Sequence, residues 1–341
     1  ADVSDGQLGL ILLCAMAGTL VMQPLSGALT PRHGSRRLVV AGALGYSLGL
    51  VVVAAAAPGV ALAGAFLLLG VVAGLLDVTM NVQGVAVEGL LGRPILASLH
   101  AAFSFGALAG ALGGSAAVAA DLGIRGHLLP AALLGLVVVA VAAPALVRHP
   151  AGEPGAPAWA RPTRALATLG ALAFCVLLSE GALNDWVAVY FTDEIDVGGS
   201  VAAGALAAFS LAMATGRLAG DRVTAAVGPR RLARAGAMLA AAGMAVALAA
   251  GGPAPALAGV VATGLGLAAI FPLTLRAAAA SGAAGPAIAT VSGIGYTAFL
   301  LGPPLIGGLS DLTSLRAALL IVVALCAVAA ALARSLGFEQ P

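Results

Sequence analysis

Eleven long apolar stretches, separated by loops of only a few residues, decide what this chain can fold into. They run approximately over 8–29, 37–56, 60–82, 96–118, 127–147, 165–190, 201–220, 232–250, 254–276, 286–309 and 314–335. A helix needs about 20 apolar residues to cross the hydrocarbon core of a bilayer, and the stretches are of that order. Charge agrees with this reading. Of 341 residues, 61% are apolar and 9% charged, whereas a soluble domain carries roughly 25% charged residues. A soluble enzyme is excluded by that deficit. Disorder is excluded as well, because it goes with low hydrophobicity and high charge. The expected fold class is an all-α membrane protein, and its loops have no room for a soluble catalytic domain.

Smaller signals narrow the chemistry. All 16 basic Lys and Arg positions are Arg, and the net charge is only +2, too little to imply a nucleic-acid partner. Cys14, Cys175 and Cys326 all fall inside expected spans. Their spacing matches neither a disulfide framework nor a metal site, and no metal or other cofactor is expected. Residues 1–7 have no basic region before an apolar core, so they do not read as a signal peptide.

Arginine placement sets the orientation, because short cytoplasmic loops collect Arg. Arg32, Arg36 and Arg37 follow the first stretch, Arg93 the third, Arg148, Arg161 and Arg164 the fifth, and Arg222, Arg230, Arg231 and Arg234 the seventh. The alternate loops carry Arg125 and Arg316 among Asp121, Asp193, Glu194, Asp196 and Asp311. The C-terminus is therefore expected in the cytoplasm, and the first stretch starts outside. Residues 148–164 hold Pro150, Pro154, Pro157 and Pro162, which rules out a helix there. That linker divides the chain into a five-helix bundle over 1–147 and a six-helix bundle over 165–341. The unequal division predicts one further helix upstream, eleven being visible of an expected twelve.

The two halves carry a repeated element. Gly27-Ala-Leu-Thr-Pro-Arg-His-Gly-Ser-Arg-Arg37 ends the first stretch, and Gly216-Arg-Leu-Ala-Gly-Asp-Arg-Val with Gly228-Pro-Arg-Arg231 ends the seventh. Both read as a small-residue helix end, a tight basic loop and a new span, about 190 residues apart. Two six-helix units in parallel orientation are an organisation found in transporters.

These loops resemble the signature loop of the major facilitator superfamily. Gly74-Leu-Leu-Asp-Val-Thr-Met-Asn81 and Ser98-Leu-His-Ala-Ala-Phe-Ser-Phe-Gly106 are similar to the fucose:proton symporter-like branch. Glu180-Gly-Ala-Leu-Asn-Asp-Trp186 and Gly295-Tyr-Thr-Ala-Phe-Leu-Leu-Gly-Pro-Pro304 look like a bacterial inner-membrane subgroup near it. The resemblance covers the whole chain. It implies the twelve-helix fold of that superfamily, in two pseudo-symmetric bundles with both ends cytoplasmic, and the inner membrane of a bacterial cell as the location. It also implies gating loops built on Gly27, Arg32, Gly34 and Arg36 in the first half and Asp221, Arg222 and Arg230 in the second. The acidic residue of that loop is Asp221 in the second half, while Pro31 is read at its place in the first.

An ionisable residue inside an apolar span is functional by default, since it costs roughly 2.5–3.5 kcal/mol to insert. Asp77 and Asn81 lie on one helix stripe with Gly84 and Glu88. A carboxylate in a dry bundle can take a proton near neutral pH and release it when water arrives. The resemblance assigns proton and solute binding to the Asp77 and Asn81 positions; the alternative is a capping or pairing role inside the bundle. His100 and Ser104, four apart, share a face on the next span. They are read as hydrogen-bond partners for a polyol, or His100 as a partner of Asp77, against a satisfied core histidine. Glu180 and Asn184 repeat the Asp77/Asn81 spacing at the start of the second half. Trp186 reads either as a sugar-stacking ring or as part of the interfacial aromatic belt. The Pro272 and Pro303-Pro304 positions are expected to interrupt their spans.

The function expected is secondary transport, a proton-coupled symport of a sugar-like or other small polar solute by a monomer in the lipid bilayer. Proton-antiport drug or metabolite efflux, and a transporter-like sensor, are the alternatives. No His-Glu-x-x-His motif occurs, and an enzyme is not expected.

Overall fold

A computed structural model describes residues 5–148, 163–281 and 283–336 of the chain; most of the 148–164 linker lies outside them. Among the described residues the fold is helical throughout, and eleven helical spans are long and apolar enough to cross a membrane. In chain order the helices are α1 (Asp5–His33), α2 (Ser35–Ala55), α3 (Val60–Leu91), α4 (Leu96–Ala119), α5 (Gly123–Ala142), α6 (Arg164–Asp193), α7 (Gly199–Val227), α8 (Pro229–Ala249), α9 (Pro253–Leu267), α10 (Ile270–Ala280), α11 (Ala284–Leu312), the short α12 (Leu315–Ala318) and α13 (Leu320–Leu332).

The helices form two compact units. The first comprises residues 1–91, 106–161 and 282–293; the second comprises 92–105, 162–281 and 294–341. Thus α4 and α11 each contribute to both. In the first unit α1 lies along α3, and α2 packs on α3 and α5. A side chain on Gly70 of α3 would run into the backbone of Ala15 on α1. This is the small-residue contact by which membrane helices approach without a hydrophobic driving force. The outer face of α5 is apolar and exposed at Leu133, Leu134, Val137, Val138 and Val141, as expected of a surface solvated by lipid tails.

In the second unit α6 is deeply buried, with Leu169, Leu172, Leu178, Leu183 and Phe191 almost fully enclosed. The α8–α9 pair closes on two glycine contacts, Gly243 with Gly259 and Gly236 with Gly266. Outside the apolar region, Arg316 ties three elements together. It donates to Glu194 Oε2 at 3.3 Å, to the Leu248 carbonyl at 2.9 Å and to the Glu194 carbonyl at 3.3 Å.

Several boundaries differ from those read off the sequence. The first span runs on to His33, so the basic loop after it shrinks to the single residue Gly34. Helix α3 continues to Leu91, well past the apolar stretch that ends near 82. The ninth stretch breaks at Ala268–Ala269. Pro272, four residues on, has no N–H to offer the Ala268 carbonyl. Pro303 and Pro304 do not interrupt α11, which is continuous from Ala284 to Leu312.

Helices α1–α2 and α7–α8 are two copies of one repeat. Positions 34 and 228 differ by 194, and that offset maps α1 onto α7 and α2 onto α8 end for end. The joining glycines share a conformation, φ 78° and ψ 142° at Gly34, φ 82° and ψ 156° at Gly228. Each glycine N–H donates to a threonine carbonyl at 2.9 Å, Thr30 in one copy and Thr224 in the other. Both threonine hydroxyls bond back four residues, to Ser26 and to Gly220. On this register the residue equivalent to Asp221 is Gly27, not Pro31. Gly216 resembles Gly27 in sequence but precedes its turn by five residues more, so it is not the counterpart of Gly27.

Candidate solute and proton site

The first unit places Gln23, Asp77 and Asn81 together. Asp77 lies mid-way along α3, where the helix is flanked by Gly74 and the buried Val78. Asn81 Nδ2 donates to the Asp77 carbonyl at 2.9 Å and stands 3.5 Å from Asp77 Oδ1. Gln23, on α1, reaches across to Asp77 Oδ2 with its Nε2 at 3.3 Å. Gln23 is fully buried, and its Oε1 has no hydrogen-bond partner. It faces the backbone of Gly293, where an added Cβ would lie 3.5 Å from that oxygen. A carboxylate, two amides and a spare acceptor thus meet inside an apolar helix pair.

The second unit gathers another set. Arg217, on α7, is buried and forms an ion pair with Glu180 on α6. Its Nη2 donates to Glu180 Oε1 at 2.9 Å and to Oε2 at 3.1 Å, while Nη1 donates to Ser104 Oγ at 2.8 Å. Ser104 in turn donates to the His100 carbonyl, one turn back on α4. The His100 ring meets Phe271 edge-on with centroids 5.8 Å apart, and Phe271 lies 6.0 Å from Tyr296. Asn184 donates to the Glu180 carbonyl at 3.0 Å and is exposed. Hence Glu180 and Ser104, both singled out from the sequence, bond one guanidinium, while the His100 carbonyl accepts from Ser104 and Asn184 donates to the Glu180 carbonyl. Trp186 stands apart from that cluster by its contacts: its ring edge faces Gly307, and its Nε1 is buried with no partner.

The gating residues sit at the helix junctions. Asp221, 9% exposed, accepts from the backbone N–H groups of Ala97 at 3.1 Å and Ser98 at 2.7 Å. These are unpaired donors in the first turn of α4, and the carboxylate also complements the positive end of the helix dipole. In the first unit the equivalent Gly27 brings α1 against the first turns of α11, near Gly285, Pro286 and Ala289. Packing replaces the ionic contact there. Arg222 and Arg230 are exposed. Arg32, His33, Gly34, Arg36, Arg37 and Arg148 line a cavity of about 800 Å³, and Arg36 Nε donates to the Ala143 carbonyl at 3.2 Å.

Gln23 and Arg217 were not legible as site residues. An amide in an apolar run carries no charge signal, and Arg217 reads as part of a basic helix end. The 194-residue register would have found them, because it maps 23 onto 217. Among the described residues, no group of three or more His, Cys, Asp and Glu side chains is placed to hold a metal.

Known proteins share this architecture over nearly the whole chain. FucP, a transporter solved in the outward conformation, superposes with a TM-score of 0.82 at 17% identity, over 99% of this chain and 92% of that one. The human organic anion transporter MFSD10 superposes at 0.77 with 17% identity, over 95% and 83%. No family profile matches the chain. Closer in sequence is the membrane protein MosC of Rhizobium meliloti, 32% identical over 96% of this chain and 81% of that protein. An uncharacterized MFS-type transporter of Yersinia pestis is also 32% identical, over 98% of this chain and 87% of its own length. Proteins of this kind move solutes and do not transform them, so the chain is not an enzyme. That identity across the full span, on an all-α fold shared with solved transporters, makes the chain a member of the major facilitator superfamily.

Proposed function

We propose that this carrier is a proton-coupled symporter of a small polar solute, working as a monomer in the bacterial inner membrane with its C-terminus in the cytoplasm. One observation supports the coupling above all: the Asp77 carboxylate sits within an apolar span, held by the Gln23 and Asn81 amides. Such a group exchanges a proton between a dry and a hydrated state of the carrier. The amides suit it in both charge states. An N–H serves the carboxylate, and the unpartnered Gln23 oxygen can serve the acid once the amide turns over. Solute hydroxyls or charged groups would meet Glu180, Asn184, Ser104 and His100.

The test is uptake in vesicles across a solute panel, with a pH-sensitive dye inside. A transported solute should carry protons inward. Asp77→Asn keeps the shape and removes the titration, so it should abolish concentrative uptake while solute exchange persists. Accumulation against a gradient by that variant, at the normal proton stoichiometry, would refute the role given to Asp77.

A further inference from the structure

We propose that Arg217 recognises a carboxylate on the carried solute, and that Glu180 is its exchangeable counter-ion. This rests on the transport reading above and narrows its substrate class to organic anions. Three observations carry it.

The first is the repeat. Position 217 maps onto Gln23, and both side chains engage the intramembrane carboxylate of their own unit. The neutral amide at Gln23 shows that helix packing at this position does not demand a cation. The charge at Arg217 needs another reason, because a buried ion pair is weak evidence for stability.

The second is the way the guanidinium is used. Glu180 occupies Nη2 alone with both of its oxygens, Ser104 takes Nη1, and Nε is buried with no partner. Nε and Nη2 lie along one edge of the planar group. A carboxylate set against that edge makes two parallel bonds, the strongest arrangement a guanidinium offers. In the present pairing that edge is only half used.

The third is charge balance. With Glu180 ionised, the pair is neutral. A solute carboxylate on the Nε–Nη2 edge takes the place of Glu180 at Nη2 and brings one negative charge, which the proton that the transport reading gives to Asp77 balances. Proton and anion enter together and leave together, and no net charge moves. Other titratable or charged side chains on elements packed against α6 are Asp221 and Arg222 on α7, Arg276 on α10, Tyr296 and Asp311 on α11, Cys326 on α13 and Arg334 after it. His100, on α4, lies within electrostatic reach of Arg217. The Glu180 carbonyl accepts from Asn184, which is exposed one turn further along α6.

The experiment uses detergent-solubilised full-length protein and matched probes: D-glucuronate against D-glucose, and L-lactate against glycerol. At least one carboxylate should raise the unfolding temperature and, in weak buffer, draw about one proton from solution per molecule bound. The uncharged partner should do neither. Glu180→Gln/Arg217→Gln, which keeps the site neutral, should fold and lose both responses. Arg217→Lys, which keeps the charge but not the fork, should bind about tenfold more weakly. The assignment is overturned if no carboxylate probe acts, or if the double variant responds as the wild type does. Carboxylate binding with proton uptake but no solute movement in vesicles sinks the transport reading and leaves the anion site standing. Concentrative uptake of an uncharged solute by the double variant does the reverse.

Discussion

Gln23 and Arg217 occupy one position of a repeat that recurs after 194 residues, and each reaches the carboxylate buried beside it. Gln23 Nε2 is 3.3 Å from Asp77 Oδ2, and Arg217 Nη2 is 2.9 Å from Glu180 Oε1. The first pair sets a carboxylate against a neutral amide. The second locks a carboxylate to a cation. The repeat position is thus divided between a neutral partner in one unit and a cationic one in the other.

Exchanging the chemistry of the first position tests that division. Gln23→Arg would give Asp77 the partner that Glu180 has. The variant should fold, since the equivalent position already accommodates a guanidinium beside a carboxylate. Asp77 should then stay ionised, and vesicle uptake should lose its proton coupling. Wild-type proton stoichiometry in this variant would show that Asp77 does not carry the coupling proton.

Breaking the second pair from one side should be costly. Arg217→Gln leaves the Glu180 carboxylate without its cation in a buried setting, a loss of about 3–5 kcal/mol. Adding Glu180→Gln removes the stranded charge. The double variant should therefore recover most of the thermal stability lost by the single one. Additive losses would mean that the two side chains are not energetically coupled.

The Asp221 contact should control turnover and leave coupling intact. Asp221→Asn keeps one acceptor oxygen for the two N–H groups of Ala97 and Ser98 and gives up the charge at the α4 terminus. A loss of about 1–2 kcal/mol is expected, which shifts a two-state equilibrium by roughly tenfold. Transport should slow while the proton-to-solute ratio stays fixed. A changed ratio would place Asp221 in the coupling chemistry.

Sequence alone located the membrane class, the span count and the parallel repeat, because apolar length and arginine placement are strong, additive signals. It singled out Asp77, Asn81, Glu180 and Ser104 because an ionisable or polar group within an apolar run stands out. It failed where the signal was relational. Arg217 acquires meaning only through Glu180, 37 positions earlier, and Gln23 only through Asp77. Helix ends were misread for a local reason. Arg32 and His33 look like loop residues, yet they are helical. Basic side chains favour the last turn of a helix, and one glycine with positive φ suffices to reverse the chain. The register error at Pro31 has the same origin, since a tight turn is marked by its glycine and not by the motif before it.

That turn supplies the last prediction. Gly34 and Gly228 both hold φ near +80° with extended ψ, 78° and 142° at one and 82° and 156° at the other. This region is essentially restricted to glycine, and a side chain there costs about 1–3 kcal/mol. Around Gly228 a Cβ would meet no other atom within 4 Å, so Gly228→Ala isolates the backbone cost from any clash. It should lower the unfolding temperature and disturb the α7–α8 junction. Gly64→Ala is the control: Gly64 is helical, has the same open space and no positive φ. Alanine favours a helix over glycine by up to about 1 kcal/mol, so Gly64→Ala should leave stability unchanged or raise it. Equal effects of the two substitutions, read by thermal unfolding in detergent, would refute a conformational role for Gly228. It would also remove the strongest physical reason for anchoring the repeat on positions 34 and 228.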